Sequence, residues 1–358
     1  MRVISVEPGQ GEPTLEDRPM PEPADGEVLV RTLRVGIDGT DREVIDGRHG
    51  GPPAGDDRLI LGHEAVGVVE DPNGTALEAG TIVVPTVRRP ADGMTTHFER
   101  DEADVAPAGT FVECGIDGAH GFMAEYFTAD PAYLCRLPAE RTPVGFLIEP
   151  ISITEKAIEH AFASRAAFTW EPESALVIGN GSLGLLTLGM LETSSSFERT
   201  YCVGRRDRPD PTIDLIESLG STYVDSRETP VDAIADVHEP MDFVYEATGY
   251  AKHAFQTIEA LAPNGVGALL GVPDDWTFEV DGGKLHRSLV LSNKALVGSV
   301  NSNRGHFESA IDRLATLPSS FVDELVTDVH PVEDADRAFT DDDTTIKAAI
   351  EFASYEER

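Results

Sequence analysis

"SALVIGNGSLGLLTLGML", residues 174 to 191, reads as an apolar strand, a glycine turn and an apolar helix. Gly179, Gly181 and Gly184 form G-x-G-x-x-G directly behind "LVI" and at the mouth of the helix, with Asn180, Ser182 and Leu183 completing the turn. Such a turn is tight, lets backbone approach a pyrophosphate and aims helix N–H groups at its charge. Outward from it, "TYCVGR", "DFVYEATG", "VGALLGV" and "ALVGSVN" repeat the strand texture, separated by segments that read as helices. The alternation predicts an α/β fold, a doubly wound parallel sheet of Rossmann type covered on both faces. At the end of the next strand, about 20 residues on, an NAD site offers a carboxylate to the ribose 2′-hydroxyl. This chain has "VGRRDR" there: Gly204, Arg205 and Arg206 occupy the place of the acid, and guanidinium forks suit a 2′-phosphate. NADP is therefore expected over NAD. The alternative is that these arginines only balance acidic surface, and Asp207 behind them leaves NAD open as a secondary cofactor.

Before this segment the texture differs. Residues 1 to about 150 are cut by Gly and Pro into short β-like runs such as "GEVLVRTLRVGI" and "AVGVVE", the mark of a loop-rich β domain. After "ALVGSVN" come a helix-like segment, an acidic run at Asp341 to Asp343 and a closing strand, "TIKAAIEFA". The expected division is 1–151 for the β-rich domain, 152–301 for the nucleotide domain and 302–358 for a return to the first.

Composition narrows the function classes. The 358 residues carry 64 acidic against 28 basic side chains, a formal net charge of −36, and only five of the basic ones are lysine. Such a surface repels itself in dilute buffer, and molar salt, with a screening length of about 3 Å, removes that repulsion. A protein working in concentrated salt is expected; an ordinary acidic enzyme is the plainer alternative. Nucleic acid and anionic membrane are excluded as partners for want of basic surface. No apolar run approaches the ~20 residues of a membrane span, and the N-terminus lacks the apolar core of a signal peptide. Cys114, Cys135 and Cys202 stand far apart, which disfavours a structural zinc knuckle and fits a reducing cytoplasm.

"GHEAVG", residues 62 to 67, places an imidazole beside a carboxylate between glycines. On its own it is either a metal site or a solvent-facing turn. Together with "VGIDGTD" (35 to 41), "EPIS" (149 to 152), "GNGSLG" (179 to 184) and "YEATG" (245 to 249), it resembles the zinc-dependent medium-chain dehydrogenase/reductase superfamily over nearly the whole length. The acidic excess and the "GRR" turn make it similar, within that superfamily, to the glucose dehydrogenases of halophilic archaea.

The resemblance implies a GroES-like catalytic domain beside the Rossmann domain, one catalytic zinc and no structural one. His63 and Glu149 match ligand positions, with Glu64 against the metal and able to enter its shell. Asp38 stands where the family usually supplies a thiolate; a carboxylate oxygen is an acceptable zinc ligand, at about 2.0–2.2 Å. Asp38 is equally at home as a turn residue, and Glu149, before Pro150, as a boundary residue. Thr40 matches the hydroxyl that takes the substrate proton, or caps a helix. Thr248 and Asn301 fall on cofactor-binding positions. The substrate is expected to be an aldose oxidised at C1, contacted by Thr40, Glu64, Glu113, Glu149 and Asn301. Asp92 and His97 are expected on a surface loop, His49 and His120 carry no assigned role, and a homodimer or homotetramer is implied. Dehydrogenation of another polyol or secondary alcohol, and NADPH binding without turnover, are the competing functions.

Overall fold

A computed structural model describes residues 1–340 and 344–355, so the acidic run Asp341 to Asp343 lies outside the described residues. The chain divides into two compact units: Met1–Ser152 with Asn301–Leu314 and Val326–Arg358, and Ile153–Val300 with Ala315–Leu325. The segment Ala315–Leu325 thus packs with the nucleotide unit, although it lies in the stretch expected to return to the first domain.

In the second unit six strands form an all-parallel sheet in the order Thr222–Asp225, Arg199–Gly204, Ser174–Ile178, Met241–Glu246, Leu261–Leu269, Ala295–Gly298. Numbered along the chain this is 3-2-1-4-5-6, the doubly wound order, in which the sequence reverses direction beside the first strand. That strand, "SALVI", is fully buried, as an unbroken apolar run in a parallel sheet must be. The turn behind it leads into the helix Ser182–Glu192. Gly179 sits at φ +114°, outside the range of ordinary side chains, and a Cβ on Gly184 would come within 1.9 Å of the Gly179 carbonyl oxygen. Gly184→Ala is therefore expected to push helix from strand, costing about 1–3 kcal/mol of stability and roughly tenfold or more in NADPH affinity, read by thermal melting and nicotinamide fluorescence.

The first unit is built on the long strand Val28–Ile37, whose buried residues form the centre of a seven-stranded sheet. Glu64–Asp71 pairs with it on one side and Lys347–Glu351 on the other, both antiparallel, with Gly36 opposite Glu64 and Ile37 opposite Ala348. Three stretches distant in sequence thus meet at one end of a single strand. Among the described residues no helix is long and apolar enough to cross a membrane.

Candidate active site

The end of the strand Val28–Ile37 runs straight into the helix Gly39–Ile45, and Asp38 is its N-cap. The cap is reciprocal: the Asp41 N–H donates to Asp38 Oδ1 at 3.0 Å and the Asp38 N–H to Asp41 Oδ2 at 3.1 Å. Thr40, the second helical residue, is therefore not the cap; it is half-buried, and its hydroxyl engages no partner among the described residues. His63 follows Gly62, whose φ of +87° and close neighbours Met123 and Val35 admit only glycine. The turn brings His63 Nε2 to 3.5 Å from Asp38 Oδ2 and His63 Nδ1 to 3.9 Å from Asp41 Oδ1. His63 is 4 % exposed, so the reading of "GHEAVG" as a solvent-facing turn is excluded.

Asp38, His63 and Glu64 each present a donor atom, all within 4.8 Å of one another. Glu149, in the first turn of the helix Ile148–Arg165, does not join that group, though its carboxyl and the imidazole act on each other's proton equilibria. Glu64 fits because Gly36 has no side chain: a Cβ there would lie 2.2 Å from Glu64 Oε2. Lys347, 1 % exposed, forms an ion pair with Glu64 and donates to the Ile37 carbonyl at 3.0 Å.

The electrostatics are unbalanced. Four carboxyl groups, Asp38, Asp41, Glu64 and Glu149, share one ammonium and one imidazole, and Asp38 alone keeps appreciable side-chain exposure, 24 %. Burial pushes the Glu149 carboxyl up to about 8, the His63 charge pulls the other way, and the carboxylates of Glu64 and Asp38 add to the rise. Asp41 is raised to about 7 by burial, against the pull of His63 and with the push of Asp38. Glu64 is likewise raised by burial, with Lys347 opposing. Burial works against charge on His63, yet the neighbouring Asp38, Asp41 and Glu149 hold the imidazole well above its usual range. Asp38 is depressed below the carboxylate range by His63, although burial opposes this. His63 Nδ1 and Asp41 Oδ1 are buried without a hydrogen-bond partner, whereas Glu64 Oε2 is taken by the Lys347 ammonium. Crowded acid, an unpartnered imidazole nitrogen and mixed N/O donors are what a divalent cation relieves. The donor set fits zinc.

Beside it in the first unit, Glu113 Oε1 accepts from Arg88 Nε at 2.9 Å and from Asn301 Nδ2 at 3.0 Å. Arg88 is anchored by the Asp104 carbonyl at 2.8 Å and lies 3.7 Å over the Phe111 ring. Asn301, at φ +57°, also accepts from the Ser302 N–H at 2.7 Å. The structure thus joins two of the residues expected at the substrate, Glu113 and Asn301, by a direct hydrogen bond, with Glu113 braced from its other side by an arginine the sequence did not flag. His120 is a structural residue: its Nδ1 accepts from the Ile60 N–H at 3.2 Å and its Nε2 faces Asp56. His49 and Asp92 are exposed, and His97 sits half-exposed on the short helix Thr96–Glu99.

In the second unit a cavity of about 1100 Å³ opens over the glycine turn. Gly179, Asn180, Gly181, Gly204, Arg205, Arg206 and Thr248 line it, as an NADP site requires, and Ser226 and Arg227 join them unforeseen. Ser182 and Leu183 begin the helix behind, with Gly184 buried against the turn. Asn180 donates to the Thr212 hydroxyl at 2.6 Å, and a Cβ on Gly204 would strike Asn180 Oδ1 at 2.6 Å. Arg205 is exposed and has no ion-pair or hydrogen-bond partner among the described residues.

A doubly wound nucleotide unit and a β-rich unit carrying a buried Asp–His–Glu cluster define a zinc-type dehydrogenase of the medium-chain class. A family model described as the alcohol dehydrogenase GroES-like domain matches residues 24–139, and one described as the glucose dehydrogenase C-terminus matches residues 142–352. The chain belongs to the glucose dehydrogenase family of the medium-chain dehydrogenases/reductases. It is 65 % identical to glucose 1-dehydrogenase 1 of Haloterrigena turkmenica, over 99 % of this chain and all of that one. To the glucose 1-dehydrogenase of Haloferax mediterranei it is 63 % identical, again over 99 % and 100 % of the two chains. The solved structure of the Haloferax mediterranei glucose dehydrogenase in complex with NADP, Zn and gluconolactone matches with a TM-score of 0.98, covering 99 % of this chain and 100 % of that one.

Proposed function

We propose that the chain oxidises D-glucose at C1 to the lactone and passes the hydride to NADP, with one zinc ion at the Asp38–His63–Glu64 cluster. The observation that carries the reading is the cluster itself: crowded, partly orphaned donors in a chain alike from end to end to an enzyme solved with NADP, Zn and gluconolactone.

His63 and Asp38 are the donors we assign to the metal, with Glu64 close enough to enter or leave the shell, and Glu149 as an outer member. Zinc held there makes a coordinated sugar hydroxyl more acidic. NADP supplies the hydride acceptor, and the cavity over Gly179–Gly184 orients it. Lys347 offsets the charge of Glu64, so the cluster is less anionic than its acids alone imply. Asp41 Oδ1 stands 3.9 Å from the second nitrogen of His63, too far for a hydrogen bond, and favours positive charge on the ring through its own charge. We assign the unpartnered Thr40 hydroxyl to relaying the proton of the substrate hydroxyl, accepting it at Oγ as its own proton passes on to water. Glu113, braced by Arg88 and Asn301, presents its other carboxylate oxygen to sugar hydroxyls. Oxidation of the aldose leaves lactone, reduced cofactor and one proton, which passes to water.

Beyond the chemistry, we assign a homodimer or homotetramer. Supporting it, Ala295–Gly298 is an edge strand, and Val290 and Leu291 just before it are 62 % and 74 % exposed. A cytoplasmic location is supported by three free, buried cysteines, with the Cys135 and Cys202 thiols raised to about 11 and about 12 by burial.

A panel of aldoses, alditols and secondary alcohols tests the reading, with absorbance at 340 nm in molar KCl and lactone assayed as hydroxamate. Aldoses are expected to give reduced NADP and lactone in equal amounts. Turnover of alditols or secondary alcohols alone would replace the substrate assignment, and no turnover by folded protein would leave a binding protein.

A further inference from the structure

The loop after the strand Arg199–Gly204 sets opposite charges side by side. Arg205 and Arg206 line the nucleotide cavity, and Asp207 follows at once. A carboxylate at this place serves a ribose 2′-hydroxyl and repels a 2′-phosphate, so the direction in which Asp207 is held decides what the cavity offers.

The loop is clasped from the neighbouring strand, Thr222–Asp225, and the turn behind it. The Tyr223 hydroxyl accepts from the Arg206 N–H at 2.9 Å and donates to the Arg206 carbonyl at 3.1 Å. Arg227 makes a fork onto Asp225, Nε to Oδ1 at 2.9 Å and Nη2 to Oδ2 at 2.5 Å. The same Nη2 reaches Asp207 Oδ1 at 2.7 Å and the Arg206 carbonyl at 3.3 Å. Arg227 and Ser226 line the cavity, whereas Asp207 does not, and its side chain is 84 % exposed. A planar fork anchored on Asp225 is stiffer than a lone surface pair and therefore suited to hold a neighbour in place.

We propose that Arg227 is a positioning residue for cofactor choice: it pins Asp207 outside the cavity and secures the Arg206 backbone, so that guanidinium and not carboxylate meets the adenosine ribose. The proposal rests on the reading of this cavity as the NADP site. Ser226 and Tyr223 contribute the floor and the clasp; Arg227 is the member whose loss changes the sign of the charge presented.

Dissociation constants of NADPH and NADH, from nicotinamide fluorescence of the full chain in molar KCl, test it. Arg227→Gln is expected to weaken NADPH roughly threefold to fivefold while leaving NADH within about 1.5-fold, the upper end of the scale of an anchored surface ion pair. Adding Asp207→Asn to that variant is expected to recover most of the NADPH loss. Equal weakening of both coenzymes would make Arg227 a plain brace, and a loss that Asp207→Asn does not recover would make it a direct phosphate contact; either overturns the proposal. Arg205→Gln separates this from the reading beneath it. If Arg205→Gln leaves the NADPH/NADH ratio unchanged, the cavity assignment falls and the proposal with it. If Arg205→Gln lowers the preference for NADPH over NADH and Arg227→Gln does not, only the role of Arg227 falls.

Discussion

Replacing His63 with alanine is expected to lower glucose-dependent reduction of NADP at least about a thousandfold, the size of losing some 4 kcal/mol of transition-state stabilisation. His63 is the one imidazole in the cluster, it is buried, and its Nδ1 has no hydrogen-bond partner. Without it, Asp38 and Glu64 remain as hard carboxylate donors with Lys347 as their buried cation, a set that holds zinc poorly. Metal content should fall below one zinc per chain. NADPH affinity should stay unchanged, because the nucleotide cavity is lined by residues of the other unit. A His63→Ala protein that binds a full equivalent of zinc and turns over normally would remove His63 from the site.

Dilution out of molar KCl is expected to be nearly as damaging, and to act on the whole molecule. With 64 acidic and 28 basic residues, the surface holds its excess charge only while counter-ions screen it. Lowering salt from 1 M to 0.01 M lengthens the screening distance from about 3 Å to about 30 Å, so carboxylates across the surface begin to repel one another. Arginine pairs such as Arg199 with Glu239 and Arg18 with Asp56 offset only part of this. Ellipticity and activity are expected to decay together within hours at millimolar salt. Full activity after days in such buffer would contradict salt adaptation.

What was legible in the sequence was what is local. The strand–glycine–helix segment announces itself because Gly179 needs a positive φ and Gly184 a contact that no side chain permits, and both constraints lie within six residues. "GHEAVG" and "VGIDGTD" were legible for the same reason, although Asp38 is at once a member of the Asp–His–Glu cluster and the helix cap. The partners that complete the site were not. Lys347 enters through pairing of the closing strand with Val28–Ile37, some 310 residues away, and Asp41 through the reciprocal cap. A lysine inside the apolar run "TIKAAIEFA" was the available signal, since an unpaired ammonium does not belong there. Glu149, expected as a third ligand, comes to the cluster on the helix Ile148–Arg165, with His63, Glu64, Asp38 and Lys347 acting on its charge, and no local pattern reveals that approach. Asn301 is expected at cofactor and substrate alike, and its side chain bonds Glu113 and the Ser302 N–H, partners that no local pattern announces. Arg88, Tyr223 and Arg227 carried no motif at all, since each acts through a neighbour in space.

The most direct test of the account is glucose-dependent NADP reduction at 340 nm in molar KCl, before chelation, after prolonged chelation and after zinc is restored. The account predicts that turnover disappears with the metal and returns on addition of about one equivalent of zinc per chain. Turnover that survives in protein shown to be free of metal would contradict it.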